Sequence, residues 1–308
     1  MKLLIVGAGS TGGYFGARLA AAGRDVTFLL RPGRAKQIAA QGLQIVSPHH
    51  GDLSITPRVV TTGSIDGAYD AILLTVKAYH LDQALEDIAP AVGKETMIMP
   101  VLNGMRHVDA ITARFGAKAL IGGVCKVATT LDAEGRIRQL APFQSLTYGE
   151  MDGSETPRLR ALDAALSGAG FDAVLSPRVV AEMWEKWVLL ASLGGVTCLG
   201  GGPVGQVVAT PGGSAFILGL IDEVVAVTNA EGFPPAPAFL SLIRTQFSNP
   251  ASPQASSMFR DMQDGRWVEA DQILGDMVAR GAQHGIATPL LNAAHTRLRV
   301  YQAGIGQA

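Results

Sequence analysis

The N-terminal 22 residues combine a short apolar run, a glycine-rich turn and a helical pattern, in that order. Leu3-Leu4-Ile5-Val6 is typical of a strand that is buried on both faces of a parallel sheet. The sequence Gly7-Ala8-Gly9-Ser10-Thr11-Gly12 follows it, and small and apolar residues then recur at helical spacing as far as Ala22. Gly23 is a typical stop at the end of a helix. These residues therefore predict a strand, a tight turn and a helix.

The same alternation continues through the first half of the chain. Further apolar runs with the length of buried strands cover residues 25–30, 71–76, 97–102 and 119–124. Helical patterns at residues 81–91 and 108–115 lie between some of them. Strands that alternate with helices predict a parallel sheet with right-handed crossovers, so we expect a doubly wound α/β domain over residues 1–177.

Beyond this point, long amphipathic patterns replace the strand-like runs. They cover residues 179–193, 215–231, 237–247, 271–284 and 289–301, and prolines mark several of the loops between them. We therefore expect an all-α C-terminal domain over residues 178–308. Its apolar helices could also support a homodimer.

The composition fits globular domains with large cores. Of the 308 residues, 48% are hydrophobic and 17% are charged, which argues against disorder and fits two domains of ordinary size. The net charge is −1 and no Lys/Arg-rich run occurs, so we expect neither a nucleic-acid surface nor an anionic-membrane surface.

The chain is poor in metal-ligating and disulfide patterns. Cys125 and Cys198 are too few for a disulfide framework or a zinc site, so we expect two reduced thiols, as in a reducing cytoplasm. Four histidines show neither metal-ligand spacing nor an evident base partner, and we predict structural or surface roles for them and no metal site. They are His80, His107, His284 and His295.

Two apolar segments have some features of membrane-related sequences. The run from Leu3 to Val6 has four residues, whereas the apolar core of a secretory signal needs about 7–15. The second segment, residues 215–228, is interrupted by Asp222 and Glu223, and we expect it to be too short and too charged to span a bilayer. The sequence therefore predicts a soluble, cytoplasmic protein.

The glycine turn matches the pattern Gly-x-Gly-x-x-Gly. In a dinucleotide site the first glycine makes the strand-to-helix turn and the second lets a pyrophosphate approach the backbone. The third allows close packing of helix and strand, and the helix N-terminus donates N–H groups to the phosphate. Because a strand precedes the pattern and a helix follows it, we predict cofactor binding by Gly7, Ala8, Gly9, Ser10, Thr11 and Gly12. A merely structural turn is the alternative.

The residues after the second strand bear on the choice between NAD and NADP. NAD sites usually carry Asp or Glu there, to hold the ribose 2′-hydroxyl. This chain has Arg31, with Arg34 three residues later and no acidic neighbour. A guanidinium pairs well with a 2′-phosphate, so NADP(H) is favoured, with Arg34 as a second contact. The alternative is a solvated loop arginine.

Motifs that extend nearly from end to end of the chain indicate a family. They are the glycine turn, Leu29-Leu30-Arg31, Thr75-Val76-Lys77-Ala78, Asn103-Gly104-Met105, Trp184-Glu185-Lys186, Ser256-Ser257-Met258, Asp261, Glu269-Ala270-Asp271 and His284-Gly285-Ile286-Ala287-Thr288-Pro289. In this ordered set the chain resembles the ketopantoate reductase (2-dehydropantoate 2-reductase) family. The resemblance implies a Rossmann domain followed by a helical domain, with substrate in the cleft between them. It also implies NADPH-dependent reduction of 2-dehydropantoate to pantoate in pantothenate biosynthesis.

Chemistry and resemblance together suggest the catalytic residues. A 2-oxo acid that accepts hydride develops negative charge on its carbonyl oxygen, and a nearby cation that can give up a proton lowers the barrier. Lys186 could supply that proton, and the resemblance makes it the general acid and a substrate contact. Glu269 would contact the cofactor or help to orient the site. The alternatives are an ordinary helix pair of Glu182 with Lys186 and a surface carboxylate at Glu269.

The resemblance also implies binding roles outside this pair. Lys77 and Asn103 would bind the cofactor, with Asn103 near the nicotinamide and the substrate as well. Ala128 matches a further backbone contact to the cofactor, and Ser257 matches a contact to the substrate carboxylate. The alternatives are a solvated lysine at the end of a strand, a simple Asn-Gly turn, and a helix cap formed by Ser256 and Ser257.

The chain departs from the family pattern where the substrate would be held. The family continues the lysine helix as Lys-x-x-x-Asn-x-x-x-Asn, but this chain has Leu190 and Gly194, and Val204 replaces a third asparagine. A site built to bind a hydroxyl discriminates strongly, and an apolar wall cannot. The same chemistry on a less polar 2-oxo acid or carbonyl compound is therefore an alternative. A similar enzyme that acts in the oxidative direction and a non-catalytic NADP(H)-binding sensor are two further hypotheses.

Overall fold

The computed structural model describes residues 1–306, which divide into two compact units. The first contains Met1–Leu102 and His107–Val180. The second contains Asn103–Arg106 and the residues from Ala181 onward. The short segment Asn103–Arg106 therefore belongs with the helices, although in sequence it follows a strand of the first unit.

The strands and helices up to residue 175 alternate as in an α/β chain, except that β3 to β6 follow one another directly and so do β8 and β9. The strands are β1 (Lys2–Val6), β2 (Asp25–Leu29), β3 (Leu43–Val46), β4 (Leu53–Ile55), β5 (Arg58–Val60), β6 (Ala71–Leu74), β7 (Met97–Pro100), β8 (Ile121–Leu131), β9 (Ile137–Glu150) and β10 (Asp172–Leu175). The helices are α1 (Ser10–Ala21), α2 (Pro32–Gln41), α3 (Leu81–Ile88), α4 (Arg106–Phe115) and α5 (Pro157–Leu166). Short 3₁₀ turns cover Ala78–His80, Ala89–Ala91 and Ala117–Ala119.

A parallel sheet forms the centre of the first unit. Its strand order is β5-β2-β1-β6-β7, and every neighbouring pair is parallel. Both faces of β1 are covered: Leu3 and Ile5 belong to one buried core, and Leu4 and Val6 belong to another on the opposite face. This double burial explains the unbroken apolar run of β1 and confirms the predicted doubly wound sheet.

A second sheet lies in the same unit, and the sequence patterns did not predict it. Its order is β10-β9-β3-β4, with β8 paired antiparallel to β9. The apolar run at residues 119–124, predicted as a further strand of the parallel sheet, instead begins β8. An isolated parallel bridge between Ile98 and Leu120 joins this run to the parallel sheet. The prediction was wrong here because an apolar run indicates burial and does not specify the partner strand.

Helices make up the second unit. They are α6 (Val179–Gly200), α7 (Val204–Val208), α8 (Gly213–Ala230), α9 (Pro237–Phe247), α10 (Ser257–Gln263), α11 (Asp276–Gln283) and α12 (Pro289–Ile305). A π-helical turn, Asp271–Gly275, leads into α11. Pro237 and Pro289 occupy the first positions of their helices, where the missing N–H costs nothing. The long helices were predicted, whereas the short helix α7 and the π-helical turn were not.

Helix α8 is longer than the apolar segment that the sequence suggested. With 18 residues and a mean hydropathy of 1.4, it has the length and composition needed to cross a membrane, so the expectation that it is too short was wrong. Both of its acidic residues, however, accept hydrogen bonds from other residues of the helical unit. Asp222 accepts a hydrogen bond from Arg244 at 2.6 Å, and Glu223 accepts from the backbone N–H groups of Leu290 and Leu291 at 3.0 and 2.9 Å. These contacts connect α8 to α9 and to the start of α12 within the helical unit.

Candidate active site

The glycine turn joins the end of β1 to helix α1 with very little space around it. Gly7 has a φ of +96°, a conformation that residues with a Cβ rarely adopt, and its N–H donates to the carbonyl of Leu29 at 3.0 Å. A Cβ on Gly12 would collide with Thr75 Oγ1 and with the carbonyl oxygen of Gly7. The first and third glycines of the motif therefore allow the close approach of helix and strand that the sequence predicts.

Gly9 has a different environment. It precedes the first residue of α1 with an extended backbone (φ −74°, ψ −166°), and nothing lies within 4 Å of the position that its Cβ would occupy. The first turn of α1, which includes Ser10 and Thr11, carries no acidic residue. The N-terminal N–H groups of a helix attract an anion. The open space at Gly9 thus fits the pyrophosphate of a dinucleotide.

Thr75 connects the glycine turn to the neighbouring strand. It follows β6 directly, and its hydroxyl donates to the carbonyl of Val6 at 2.8 Å, with the carbonyl of Gly7 at 3.3 Å. The bond ties together the carboxyl ends of β1 and β6, where the glycine turn begins. The sequence did not indicate this role, because Thr75 was noted only as one residue of the family motif Thr75-Val76-Lys77-Ala78.

Arg31 and His80 meet at this same end of the sheet. Arg31 follows Leu30 at the end of β2 and precedes the first residue of α2. Its Nη1 lies 3.2 Å from His80 Nε2. Burial, together with the positive charge of Arg31, lowers the pKa of His80 below its ordinary value. The sequence did not reveal this contact of His80 with Arg31.

Arg34 does not join this pair. Its Nε donates to the carbonyl of Ala8 at 3.0 Å, and its Nη1 donates to Gln37 Oε1 at 2.6 Å. The side chain is half-buried, and burial lowers its pKa. Arg34 therefore supports the glycine turn from helix α2, and its role as a second contact to a 2′-phosphate stays a prediction.

Lys77 lies on the same turn as His80. It is exposed and precedes the 3₁₀ turn Ala78–His80, and its carbonyl accepts a hydrogen bond from the His80 N–H at 2.9 Å. Since β2 and β6 flank β1 on opposite sides, Arg31 and Lys77 belong to the loops that follow its two neighbours. The carboxyl ends of parallel strands are where such sheets bind ligands.

Ala128 lies at an irregularity of the second sheet. The pairing of β8 with β9 skips it, because Val127 is opposite Gln144 while Thr129 is opposite Gln139. Residues 140–143 of β9 therefore face a single residue of β8. A β-bulge of this kind interrupts the ladder, and such irregularities recur near functional sites.

In the second unit, the structure brings Asn103 and Glu269 together. Asn103 Nδ2 donates to Glu269 Oε2 at 3.3 Å, and the Glu269 side chain is buried. Gln272, in the π-helical turn, donates from Nε2 to the carbonyl of Asn103 at 3.1 Å. Gly104 has a φ of +78°, and a Cβ there would lie 2.6 Å from the carbonyl oxygen of Gln272. The Asn-Gly turn is thus held against the segment that carries Glu269, and Gln272 is a supporting residue that the sequence did not reveal.

Lys186 lies on helix α6 at the margin of its buried face. The side chain is half-buried, and Met183 and Trp187, one turn before it and next to it, are buried. Leu190, one turn later on the same side of the helix, is half-buried. This is the environment that the apolar neighbours of Lys186 predicted.

Ser257 is the first residue of helix α10. The cap of this helix is Ser256, whose Oγ accepts from the N–H of Phe259 at 3.0 Å and lies 2.8 Å from Thr197 Oγ1. The capping role considered for the serine pair therefore belongs to Ser256, and Ser257 is half-buried beside it.

The other two positions that depart from the family pattern are buried. A Cβ on Gly194 would collide with the methyl group of Met258. Val204 is fully buried, and its N–H donates to the carbonyl of Gln254 at 2.9 Å. Of the three departures, Leu190 alone has a side chain that is only half-buried.

The titratable residues elsewhere have ordinary structural partners. His284 contacts Glu231 at 2.9 Å and His295 contacts Asp271 at 2.8 Å, so these two histidines have the partners that the sequence did not reveal. Within residues 1–306, no group of three or more His, Cys, Asp or Glu side chains could hold a metal ion. Cys125 and Cys198 are both buried free thiols.

Comparison with known families identifies the chain. The family model described as "Ketopantoate reductase PanE/ApbA" matches residues 3–153, and the model "Ketopantoate reductase PanE/ApbA C terminal" matches residues 178–302. The chain belongs to the ketopantoate reductase family. It is accordingly an oxidoreductase that acts on a CH–OH group.

Individual relatives agree with this assignment at full length. The chain is 34% identical to the Bacillus subtilis (strain 168) protein YkpB, described as an uncharacterized oxidoreductase, over 98% of this chain and 99% of that one. A 2-dehydropantoate 2-reductase from Geobacter metallireducens GS-15 is 30% identical, with a TM-score of 0.86 and coverage of 97% and 99%. A D-mandelate dehydrogenase with NADH and anilino(oxo)acetate is 21% identical, with a TM-score of 0.86 and coverage of 99% and 100%, and it shows a shared fold alone.

Proposed function

We propose that this ketopantoate reductase family member reduces the carbonyl of a 2-oxo acid with NADP(H), and that 2-dehydropantoate is the first substrate to test. The observation that carries the proposal is the glycine turn, in which the space at Gly9 is open while Gly12 is closely packed. This combination suits a pyrophosphate at the N-terminus of α1.

The cofactor contacts follow from the residues at the carboxyl ends of the strands. Gly7, Ala8, Gly9, Ser10, Thr11 and Gly12 would hold the pyrophosphate. Arg31 and Lys77 would hold the 2′-phosphate, because both present cations in loops next to the glycine turn. Asn103, Ala128 and Glu269 would complete the cofactor contacts. NADPH, when bound, supplies the hydride for the carbonyl carbon.

Lys186 would supply the proton. As hydride arrives, negative charge develops on the carbonyl oxygen, and the ammonium group of the half-buried Lys186 would both stabilise that charge and protonate the oxygen. Asn103 and Ser257 would bind the substrate with Lys186. The Glu269 carboxylate accepts from Asn103 Nδ2, which fixes the orientation of the carboxamide and leaves Oδ1 as its acceptor.

A second candidate is a 2-oxo acid with a less polar side chain. Leu190 favours it, since this residue lies one helical turn from Lys186 and presents a half-buried apolar side chain where the family carries an asparagine. A leucine cannot hydrogen-bond the hydroxyl of 2-dehydropantoate, whereas it can contact an alkyl or aryl group.

The test is NADPH oxidation with 2-dehydropantoate, 2-oxoisovalerate and phenylglyoxylate, with Lys186→Ala as the matched control. We expect at least one of the three to be reduced, and Lys186→Ala to lose activity by at least about a hundredfold, the usual contribution of general acid catalysis. Turnover at the Lys186→Ala rate with every substrate would refute the proposal. NADPH binding without turnover would favour a sensor.

The setting of the enzyme is a further part of the proposal. We propose a cytoplasmic protein without a membrane or nucleic-acid partner, which serves pantothenate biosynthesis if 2-dehydropantoate is its substrate. We also propose that the apolar helices of its C-terminal unit support a homodimer, and analytical ultracentrifugation at micromolar concentrations tests this directly. A single species with the mass of one chain, 32.1 kDa, would exclude the dimer.

A further inference from the structure

His80 has a position that its sequence context did not predict. The turn that carries it follows β6, and the loop that carries Arg31 follows β2, so their contact at 3.2 Å joins the loops on the two sides of β1. The glycine turn lies between these loops in the strand order. The pair therefore lies at the edge of the sheet where a bound dinucleotide would place its adenosine ribose.

The charged and titratable groups near His80 are mostly cationic. Arg31 faces it from the β2 loop, and Lys77 precedes it on its own turn. The ring of Tyr79 packs edge-on against the imidazole with 4.5 Å between the ring centres. The nearest acidic residue in the sequence is Asp82, in the first turn of α3. A histidine beside a guanidinium is held neutral, and its Nε2 then accepts a hydrogen bond from Arg31.

We propose that His80 is a second, titratable ligand of the 2′-phosphate of NADP(H), and that its protonation makes the preference for NADP(H) over NAD(H) depend on pH. The inference rests on the proposed function, in which Arg31 binds that phosphate. It adds a histidine that the family resemblance did not assign.

The physical reason is a change of hydrogen-bond direction. Without cofactor, neutral His80 accepts from Arg31. A phosphate dianion beside the pair accepts from Arg31 instead, and its charge favours a protonated imidazole that donates Nε2–H to a second phosphate oxygen. NADP(H) binding then takes up a proton, whereas NAD(H), which lacks the phosphate, does not.

The sign and the pH window follow from this linkage. The pKa of His80 is lowered in the free protein, first by burial and then by Arg31, and the phosphate would raise it in the complex. NADP(H) affinity should therefore increase as the pH falls through the pKa of His80 in the complex. The second pKa of a phosphate monoester is about 6, so below that pH the loss of phosphate charge opposes the gain. The effect should be clearest between about pH 8.5 and 6.5.

The experiment measures dissociation constants of NADPH and NADH by calorimetry from pH 8.5 to 6.5. For the wild type we expect NADPH binding to tighten by about five- to tenfold over this range, with NADH binding nearly constant. Calorimetry in two buffers of different ionisation enthalpy should show proton uptake with NADPH. Equal slopes for the two cofactors, or no proton uptake, would overturn the inference.

Two variants separate the roles. In His80→Gln, Oε1 can still accept from Arg31 but the side chain does not titrate, so NADPH binding should match the wild type near pH 8.5 and fail to tighten at pH 6.5. A wild-type slope in His80→Gln would refute the ligand role. Arg31→Ala tests the underlying proposal: it should remove most of the preference for NADPH. If that preference survives in Arg31→Ala, the proposed 2′-phosphate site is wrong whatever His80 does.

An independent readout comes from the imidazole itself. The NMR titration of His80, assigned by its absence in His80→Gln, should give a pKa below that of an exposed histidine in the free protein. Addition of NADP⁺ should raise this pKa, and addition of NAD⁺ should not. An equal response to both cofactors would contradict a specific contact with the 2′-phosphate.

Discussion

Replacing Gly12 with alanine tests the central feature of the glycine turn. The new methyl group would overlap Thr75 Oγ1 and the carbonyl oxygen of Gly7, and it would lie 3.0 Å from Thr75 Cβ. The hydroxyl of Thr75 could rotate away only by giving up its bond to the carbonyl of Val6. The Gly7 oxygen belongs to a backbone fixed by its position at the end of β1, so it cannot move cheaply.

The expected loss in the free energy of unfolding of Gly12→Ala combines overpacking, the lost hydrogen bond and the better helix propensity of alanine. Overpacking a closely fitted site costs about 1–3 kcal/mol, and the lost hydrogen bond adds about 1 kcal/mol. Alanine is better than glycine in a helix by roughly 1 kcal/mol, which offsets part of this. A net loss of about 1–3 kcal/mol corresponds to a fall in Tm of roughly 3–10 °C for a unit of this size. NADPH affinity should fall as well, because α1 can no longer approach β1.

Gly9→Ala is the matched control. Nothing lies within 4 Å of its new methyl group and its φ of −74° suits alanine, so Tm should change by less than about 2 °C. NADPH binding should nevertheless weaken by at least about tenfold, since the methyl group takes the space of the phosphate. Differential scanning fluorimetry and NADPH fluorescence titration measure both quantities. A Gly12→Ala protein with wild-type Tm, or a Gly9→Ala protein that loses as much Tm as Gly12→Ala, would refute the reasoning.

Three further predictions concern stability, reactivity and substrate choice. Burial alone would raise the pKa of the Glu150 carboxyl, but hydrogen bonds from Arg158 and Thr156 hold it below its usual value. Glu150→Gln should therefore lower the free energy of unfolding in urea by about 2–3 kcal/mol at neutral pH. This difference should disappear as the pH falls through that lowered pKa, and a difference that persists at low pH would contradict a role for the carboxylate charge. Burial raises the pKa of Cys198 to about 11, so iodoacetamide at pH 8 should not label this thiol until the protein is unfolded, and rapid native labelling would contradict its packing. Leu190→Asn should shift the kcat/KM ratio toward 2-dehydropantoate and away from 2-oxoisovalerate by about tenfold or more, and an unchanged ratio would show that this residue does not contact the substrate.

The parallel sheet could be predicted because its signals are local. Each strand that is buried on both faces appears as an unbroken apolar run, and β1 shows this most clearly. The helices between the strands have their own periodicity and caps. The glycine turn adds a backbone requirement that few other residues satisfy, as the positive φ of Gly7 shows.

The second sheet could not be predicted by the same reasoning. Its strand β9 pairs in parallel with β3 through Ile137 and Arg138, whose partners Ile45 and Val46 are 92 residues earlier in the chain. Its antiparallel pairing with β8 is interrupted at Ala128. Neither a distant partner nor a bulge leaves a periodic signal in a single sequence.

The candidate site also contains some residues that the sequence indicates and others that it does not. The resemblance pointed to Asn103 and Glu269, which are 166 positions apart, and their hydrogen bond gives that pairing a physical basis. The residues that hold them are less visible. Gln272 acts through a π-helical turn, and its carboxamide reaches the backbone of Asn103 rather than a charged group. Nothing in the residue type indicates such a role, because glutamine is common on helix surfaces.

The three positions that depart from the family pattern have different surroundings in the structure. In the sequence, three positions depart from the family pattern in the same way, because each has another residue where the family has asparagine. They are Leu190, Gly194 and Val204. In the structure, a Cβ at position 194 would meet the terminal methyl group of Met258, the flexible end of that side chain, whereas Val204 is fully buried. An asparagine restored at position 204 would therefore need its surroundings to repack before it could reach a ligand. Leu190 is half-buried and lies one helical turn from Lys186, so the choice between 2-dehydropantoate and a less polar 2-oxo acid depends most directly on this residue.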